Sequence, residues 1–342
     1  MRKTKAAIFH EFGGPDVIRV EEITVPDPGP GQVRIAVQAA AMNHLDLWAR
    51  RGLPGVMLPH VGGSDIAGTV ESVGPDVTAW KSGDRVVVDP TLACGHCEWC
   101  LKGETPLCEQ FRILGEHVDG GFAGLVLAPA RNLMRVPEAF DMVRAAASPL
   151  AFLTAWRGLV SRARLRAGEI VLITGASGGV ATAAIRIARH LGARVFAITT
   201  TENVERVRGL GAHEVFDRHE AGHRKVLFEL TQRRGVDVVF DSVGAATWHE
   251  NVRALARGGR LVVYGATTGP SAATDLRFVF WKQIEILGTT MSNPEEFQAA
   301  MRLVFEGRLE PVIDTVWPLD RARDAHDRLE KGAQFGKIVL VP

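Results

Sequence analysis

The sequence predicts a two-domain α/β protein: an irregular β-rich domain, then a doubly wound parallel sheet covered by helices. Three observations carry this expectation. The chain has 342 residues, too many for one ordinary core. Near residue 150 its apolar grammar changes, from short alternating runs among Gly and Pro to apolar runs separated by helical segments. All four cysteines fall inside one short stretch, which marks a local metal lobe more than a disulfide framework.

In the first part, Val33-Arg34-Ile35-Ala36-Val37 and Ile66-Ala67-Gly68-Thr69-Val70 alternate as strands do. Pro28, Pro30 and Gly31 mark a turn, Leu45 to Arg51 is helical in pattern, and the strand Arg85 to Val88 leads into the cysteines. From Leu150 onward, strands are expected at Ile170 to Thr174, Arg194 to Thr199, Val236 to Asp241, Arg260 to Tyr264 and Ile284 to Gly288. Helices are expected at Val180 to Leu191, Glu295 to Glu306 and Arg321 to Lys331, with a last strand at Lys337 to Leu340. The sequence shows no internal repeat or low-complexity tract.

Composition narrows the function classes. With 46% apolar residues and a formal net charge of +1, the chain offers neither the polarity of a disordered protein nor a basic face for nucleic acid. Arg2, Lys3 and Lys5 run straight into a strand without the apolar stretch of a signal peptide, and no window suits a bilayer. Thiols suited to metal then point to the cytoplasm.

Cys94, Cys97, Cys100 and Cys108 follow C-x2-C-x2-C-x7-C. Zinc takes four soft ligands in a tetrahedron, and the two-residue gaps let successive sulfurs turn onto one ion while Gly95 and Gly103 relieve the backbone. Cysteines that merely pack or form disulfides are the alternative. A second motif runs from Val171 to Ala181: an apolar strand, the small-residue turn Ala176-Ser177-Gly178-Gly179, and a helix starting at Val180. Small residues let the backbone approach a pyrophosphate whose charge is held by helix N-terminal amides, although an ordinary tight βα turn looks similar. After the next strand, Thr199, Thr200 and Thr201 stand where an acidic residue would bond the ribose of NAD; they leave room for a 2′-phosphate.

The cysteine spacing resembles the structural zinc lobe of the zinc-containing alcohol dehydrogenases, in the medium-chain dehydrogenase/reductase superfamily. The turn Ala176, Gly178, Ala181 resembles the variant of that superfamily's quinone oxidoreductases. The resemblance covers essentially the whole chain. It implies a GroES-like catalytic domain over 1–149 and 308–342 with the zinc lobe at 90–112, a Rossmann domain over 150–307, and an active cleft between them. It further implies an NAD(P)H-dependent oxidoreductase acting on a small molecule, with one structural zinc and a dimeric or tetrameric assembly. Arg218 matches a phosphate-contacting position of NADPH-using relatives, so NADP(H) is expected over NAD(H). Thr154, Val180, Gly265 and Ala266 would approach the nicotinamide, and Lys337 matches a basic residue that reaches the pyrophosphate.

At the reaction centre the pattern breaks. The three positions that hold a catalytic zinc in alcohol dehydrogenases resemble Asn43, Ser64 and Leu150 here, and the hydroxyl relay position is Leu45. What remains resembles the zinc-free quinone and enone reductases, whose conjugated substrates spread the incoming charge so that polar donors replace a metal. The candidate catalytic set is Asn43, His44, Asp46 and Asp65. Asn43 would donate to a substrate oxygen and His44 would touch cofactor or shuttle a proton; a helix cap and a surface imidazole are the plain alternatives. His44, Asp65, Glu116 and His117 are potential replacement metal ligands. Trp48, Phe111, Phe280 and Trp281 read equally as an apolar pocket or as core. The rival functions are a zinc-type alcohol dehydrogenase or aldehyde reductase with an altered metal shell, a nucleic-acid-binding zinc ribbon, and a cofactor-binding protein without catalysis.

Overall fold

The computed structural model describes residues 1–220 and 222–342, which form two compact units. The first comprises Met1–Leu150, Ser292–Gly307 and Pro311–Pro342; the second comprises Ala151–Met291 and Arg308–Glu310.

The first unit is the expected β-rich domain. Its seven-stranded sheet runs Leu133–Arg135, Arg85–Val88, Asp65–Val73, Gln32–Ala41, Lys337–Val341 and Ile313–Pro318, with Leu125–Pro129 also paired to Gln32–Ala41. Val33, Ile35, Ile66, Val86 and Val88 are fully enclosed, because the alternation read from the sequence turns them toward one core that Leu114 and Phe122 complete. Register then assembles a site. Ala41 pairs with Asp65 on one side and with Val339 on the other. Asn43 and Lys337, each two residues beyond that row, therefore emerge beside Asp65 at one end of three neighbouring strands. Several strands escape the sequence pattern, among them Ile18–Val25, Leu125–Pro129, the short His60–Val61, and Ile313–Pro318, whose Asp314, Thr315 and Pro318 dilute its apolar signal. The helix Pro294–Phe305, expected in the Rossmann domain, groups with the first unit. Asn293 and Glu296 cap it reciprocally, side chain to backbone, at 2.9 and 2.8 Å.

The second unit is the Rossmann domain. Its six parallel strands lie in the order Glu214–Asp217, Arg194–Thr199, Ile170–Ile173, Val236–Asp241, Leu255–Val263, Glu285–Gly288. This is the doubly wound order with a switch point at the first strand. Leu172, Phe196, Val239 and Leu261 are buried under the helices, as near-continuous apolar runs require. Glu214–Asp217 goes unread in the sequence because four residues with two acids carry no strand pattern. The strand expected from Arg260 begins at Leu255, since Gly258, at φ +70°, and Gly259 break the apolar run at a register shift after Val236. Among the described residues, no helix is long and apolar enough to cross a membrane.

Candidate active site and metal centre

The four cysteine sulfurs lie within 4.8 Å of one another, the one group of three or more possible metal ligands among the described residues. The Cys94 and Cys100 sulfurs are 3.8 Å apart. A tetrahedron with Zn–S of about 2.3 Å has edges of about 3.8 Å, so this spacing already fits the ion. Backbone N–H groups of Cys94, Gly95, Cys97 and Gln110 point at sulfurs of the set at 3.3–3.4 Å, donors that favour thiolate over thiol. The sulfurs do not titrate alike. The N–H groups of Cys100 and Glu109 draw Cys97 down to about 6, whereas burial pushes Cys100 up to about 12. A dication removes that conflict, and the residues present suit it.

Asn43 precedes the helix His44–Arg51, and its N–H donates to Asp46 Oδ2 at 2.7 Å. The other oxygen, Oδ1, accepts from the Gly63 N–H at 2.9 Å, and burial pushes Asp46 up to about 6 against both donors. Asp46, expected as a catalytic group, thus ties the helix to the Gly62-Gly63 loop. A side chain at Gly63 would collide with Phe122, and its φ of +98° favours glycine. Asp65, fully buried, accepts from Leu150 N–H at 2.7 Å through Oδ1. Its Oδ2 accepts from Asn43 Nδ2 at 3.0 Å and from Lys337 Nζ at 2.7 Å. Lys337 also donates to Asn43 Oδ1 at 2.5 Å. Lys337, expected at a pyrophosphate, is only 3% exposed and turned into this network, because the register buries it beside an otherwise uncompensated carboxylate.

His44 is exposed, with its ring 6.5 Å from that of Trp48. Crowding by protein, then Lys337 and Arg51, holds its imidazole below the ordinary value. Glu116 is buried with Oε2 unpartnered; burial, then Asp46, pushes it up to about 7. His117 lies 3.7 Å from Glu116, yet its Nδ1 accepts the Ile113 N–H, and these two form no ligand group with His44 and Asp65. Ser64 Oγ is buried without a partner. Sequence reasoning missed Arg50, which is fully buried and joins the His44 helix to the helix Ala322–Glu330. It donates to His326 Nδ1 at 3.2 Å and Glu330 at 2.6 Å, and burial then holds His326 neutral, down to about 3.

In the Rossmann unit, Gly175 takes φ +58° and Ala176 is buried with its N–H on Ile198 O at 3.0 Å. Ser177 and Gly178 complete the turn, and Gly179 and Val180 open a 12-residue helix whose N-cap glycine supplies no side chain. The first-turn N–H groups are left for a phosphate. Thr199 Oγ1 is buried and unpartnered, Thr200 donates to Glu202 at 2.6 Å, and Thr201 bonds Asp217. Arg218 is exposed, its Nε donating to His219 at 3.2 Å. Thr154 is buried, and Gly265 and Ala266 follow the strand Leu255–Val263. Asp241, read in the sequence only as the end of a strand, holds the turns around this end of the sheet. It accepts from the Thr174 and Thr247 hydroxyls and from the Gly244 N–H at 2.5, 2.8 and 2.9 Å. A small-residue turn beside an orphaned hydroxyl fits a dinucleotide.

Two family models match the chain: "Alcohol dehydrogenase GroES-like domain" over residues 29–138 and "Zinc-binding dehydrogenase" over residues 179–306. Human quinone oxidoreductase is 32% identical over 348 residues, covering 98% of this chain and 97% of its own. The chain belongs to the zinc-binding dehydrogenase family. Acryloyl-coenzyme A reductase of Metallosphaera sedula is 32% identical to this dehydrogenase, over 94% of this chain and 95% of its own. A crystal structure of an NAD-dependent alcohol dehydrogenase superposes with a TM-score of 0.95 at 42% identity, covering 99% of each chain. The protein is therefore an oxidoreductase of the family that uses NAD(P).

Asn43 and Asp65 already share a cationic side chain. The ammonium of Lys337 spans their two oxygens, so the donors that a metal would need are satisfied by a fixed positive charge. Asn43 retains a second amide hydrogen beyond the one given to Asp65.

Proposed function

We propose that this dehydrogenase reduces conjugated or strongly activated acceptors, of the quinone and enone class, with NADPH and without a catalytic metal. The observation that carries the reading is the Lys337 ammonium seated between Asn43 Oδ1 and Asp65 Oδ2. When bound, the nicotinamide supplies the hydride. A conjugated acceptor spreads the resulting charge, so amide N–H donors suffice where oxidation of a simple alcohol needs a Lewis acid. Asn43 donates to the acceptor oxygen, while Asp65 and Lys337 position its amide. His44, neutral and reaching solvent, relays the proton that completes reduction. Relatives named for quinone and for acryloyl-coenzyme A support this class, since both compounds are conjugated.

Arg218 supports NADPH over NADH, because its exposed guanidinium follows the threonine run; Glu202 beside Thr200 opposes it and makes Arg218 decisive. The edge strand Glu285–Gly288 is paired on one side only, and Leu276, Phe280 and Ile286 are 70%, 63% and 45% exposed, which supports pairing with a second copy of the chain. The zinc-type alcohol dehydrogenase reading draws on the 42% identical structural neighbour. An acceptor screen with NADPH and NADH, followed by loss of nicotinamide absorbance, separates the two. Quinone or enone reduction with little ethanol oxidation is expected, and Asn43→Ala should lower turnover more than cofactor affinity. Rapid ethanol oxidation by metal-depleted protein would overturn the reading.

A further inference from the structure

The Rossmann unit carries a cavity of about 560 Å³ at the N-terminal ends of the strands Val236–Asp241, Leu255–Val263 and Glu285–Gly288. The dinucleotide turn at Gly175 follows the C-terminal end of its strand, so this cavity lies at the opposite end of the parallel sheet. Its wall is cationic. Arg253, Arg257 and Lys282 line it, and among the described residues none of the three has a carboxylate within ion-pair distance. They are held by backbone oxygens instead: Lys282 Nζ donates to Arg253 O at 2.9 Å and Leu255 O at 2.6 Å, and Arg257 to Trp281 O at 3.1 Å. Desolvation, then repulsion from Arg257 and Arg253, pulls Lys282 below its ordinary value. Arg224 and Arg234, also on the wall, are balanced by Glu250 at 3.0 Å and Asp237 at 2.5 Å. Arg233, at φ +63°, is exposed beside them. Four positive charges thus converge with no carboxylate among the described residues in direct contact; the acid their field reaches is Asp275, held below its ordinary value by Arg277 first and then by Arg253.

Gathering like charges is unfavourable unless an anion repays it, and arginine forks match phosphate oxygens best. The remaining wall is aromatic. Phe278 lies 5.4 Å from the Arg253 guanidinium and 5.6 Å from Lys282 Nζ, and Trp281, 68% exposed, also lines the cavity. Cationic and aromatic groups confined to one concavity suit a phosphorylated small molecule with a flat ring. Nucleic acid wants a basic stripe along a face instead.

We propose that this cavity binds a nucleoside polyphosphate, with its phosphates on Arg233, Arg253, Arg257 and Lys282 and its base on Trp281, at the same time as the dinucleotide occupies its own turn. The test is calorimetric titration of ATP into protein saturated with NADPH. Binding of one ATP per chain is expected, with inorganic tripolyphosphate competing more weakly. Arg257→Glu, at an exposed position, should weaken ATP about tenfold or more, the loss of one charge-assisted phosphate contact plus a repulsion, and leave NADPH affinity and the unfolding transition unchanged. Trp281→Ala should weaken ATP but not tripolyphosphate. ATP binding that vanishes when NADPH saturates, or that Arg257→Glu leaves intact, overturns the site. Tripolyphosphate binding as tightly as ATP overturns the nucleoside assignment.

Discussion

Asp65 and Lys337 are 0% and 3% exposed, so each charge depends on the other for its solvation. Lys337→Met should destabilise the protein by about 3–5 kcal/mol in urea unfolding, and adding Asp65→Asn should recover part of that, because the stranded carboxylate is then gone. A full loss in the double variant, with no recovery, would contradict a buried ion pair. Asp89 offers a second residue-scale test. It is buried, its Oδ1 accepts the Thr91 N–H at 2.9 Å, and burial pushes it up to about 7. A carboxyl raised above its unfolded value adds stability below that value and loses it as pH rises through the folded one. Asp89→Asn keeps the acceptor without the charge, so the fall in stability between pH 5 and 8 should flatten by about 2 kcal/mol relative to wild type. At this scale the sequence exposed the residues but not their pairing. Asn43, Asp65 and Lys337 were all singled out, yet Lys337 lies 272 residues from Asp65, and only the register around Ala41 brings them together.

The zinc lobe is the element whose chemistry was most legible, since ligand type and spacing are themselves sequence. Its four sulfurs can close a tetrahedral shell, so a zinc bound there would stabilise the lobe without entering hydride chemistry. Cys97→Ser should lose the metal and lower the melting temperature before it changes turnover per folded molecule, a split readable by scanning calorimetry beside initial rates. Turnover falling in step with metal loss at unchanged stability would contradict it. The dinucleotide element was legible in order, strand then turn then helix, but not in detail. The commitment of Thr200 to Glu202 and the buried hub at Asp241 depend on three-dimensional neighbours. Arg218→Ala, measured by fluorescence titration of both cofactors, should weaken NADPH more than NADH; equal weakening would remove the phosphate role. Glu214–Asp217 and Ile313–Pro318 were invisible because short strands gain their stability from partners more than from their own pattern.

For the whole molecule, fold class followed from the change of grammar near residue 150 and from strands of the Rossmann sheet that were read nearly to the residue, Arg194–Thr199 and Val236–Asp241 among them. Substrate class did not follow so directly, because it depends on which charge occupies the reaction centre. The Lys337 side chain sits there, and among the described residues the cysteine lobe is the one group of three or more possible metal ligands. Metal content by mass spectrometry, measured together with NADPH-dependent quinone turnover before and after chelation, tests this most directly. One zinc per chain, none in Cys97→Ser, and turnover per folded molecule that survives zinc loss is the predicted result. A second tightly held ion on His44, Asp65, Glu116 or His117, whose removal abolishes turnover in a still-folded protein, would contradict it.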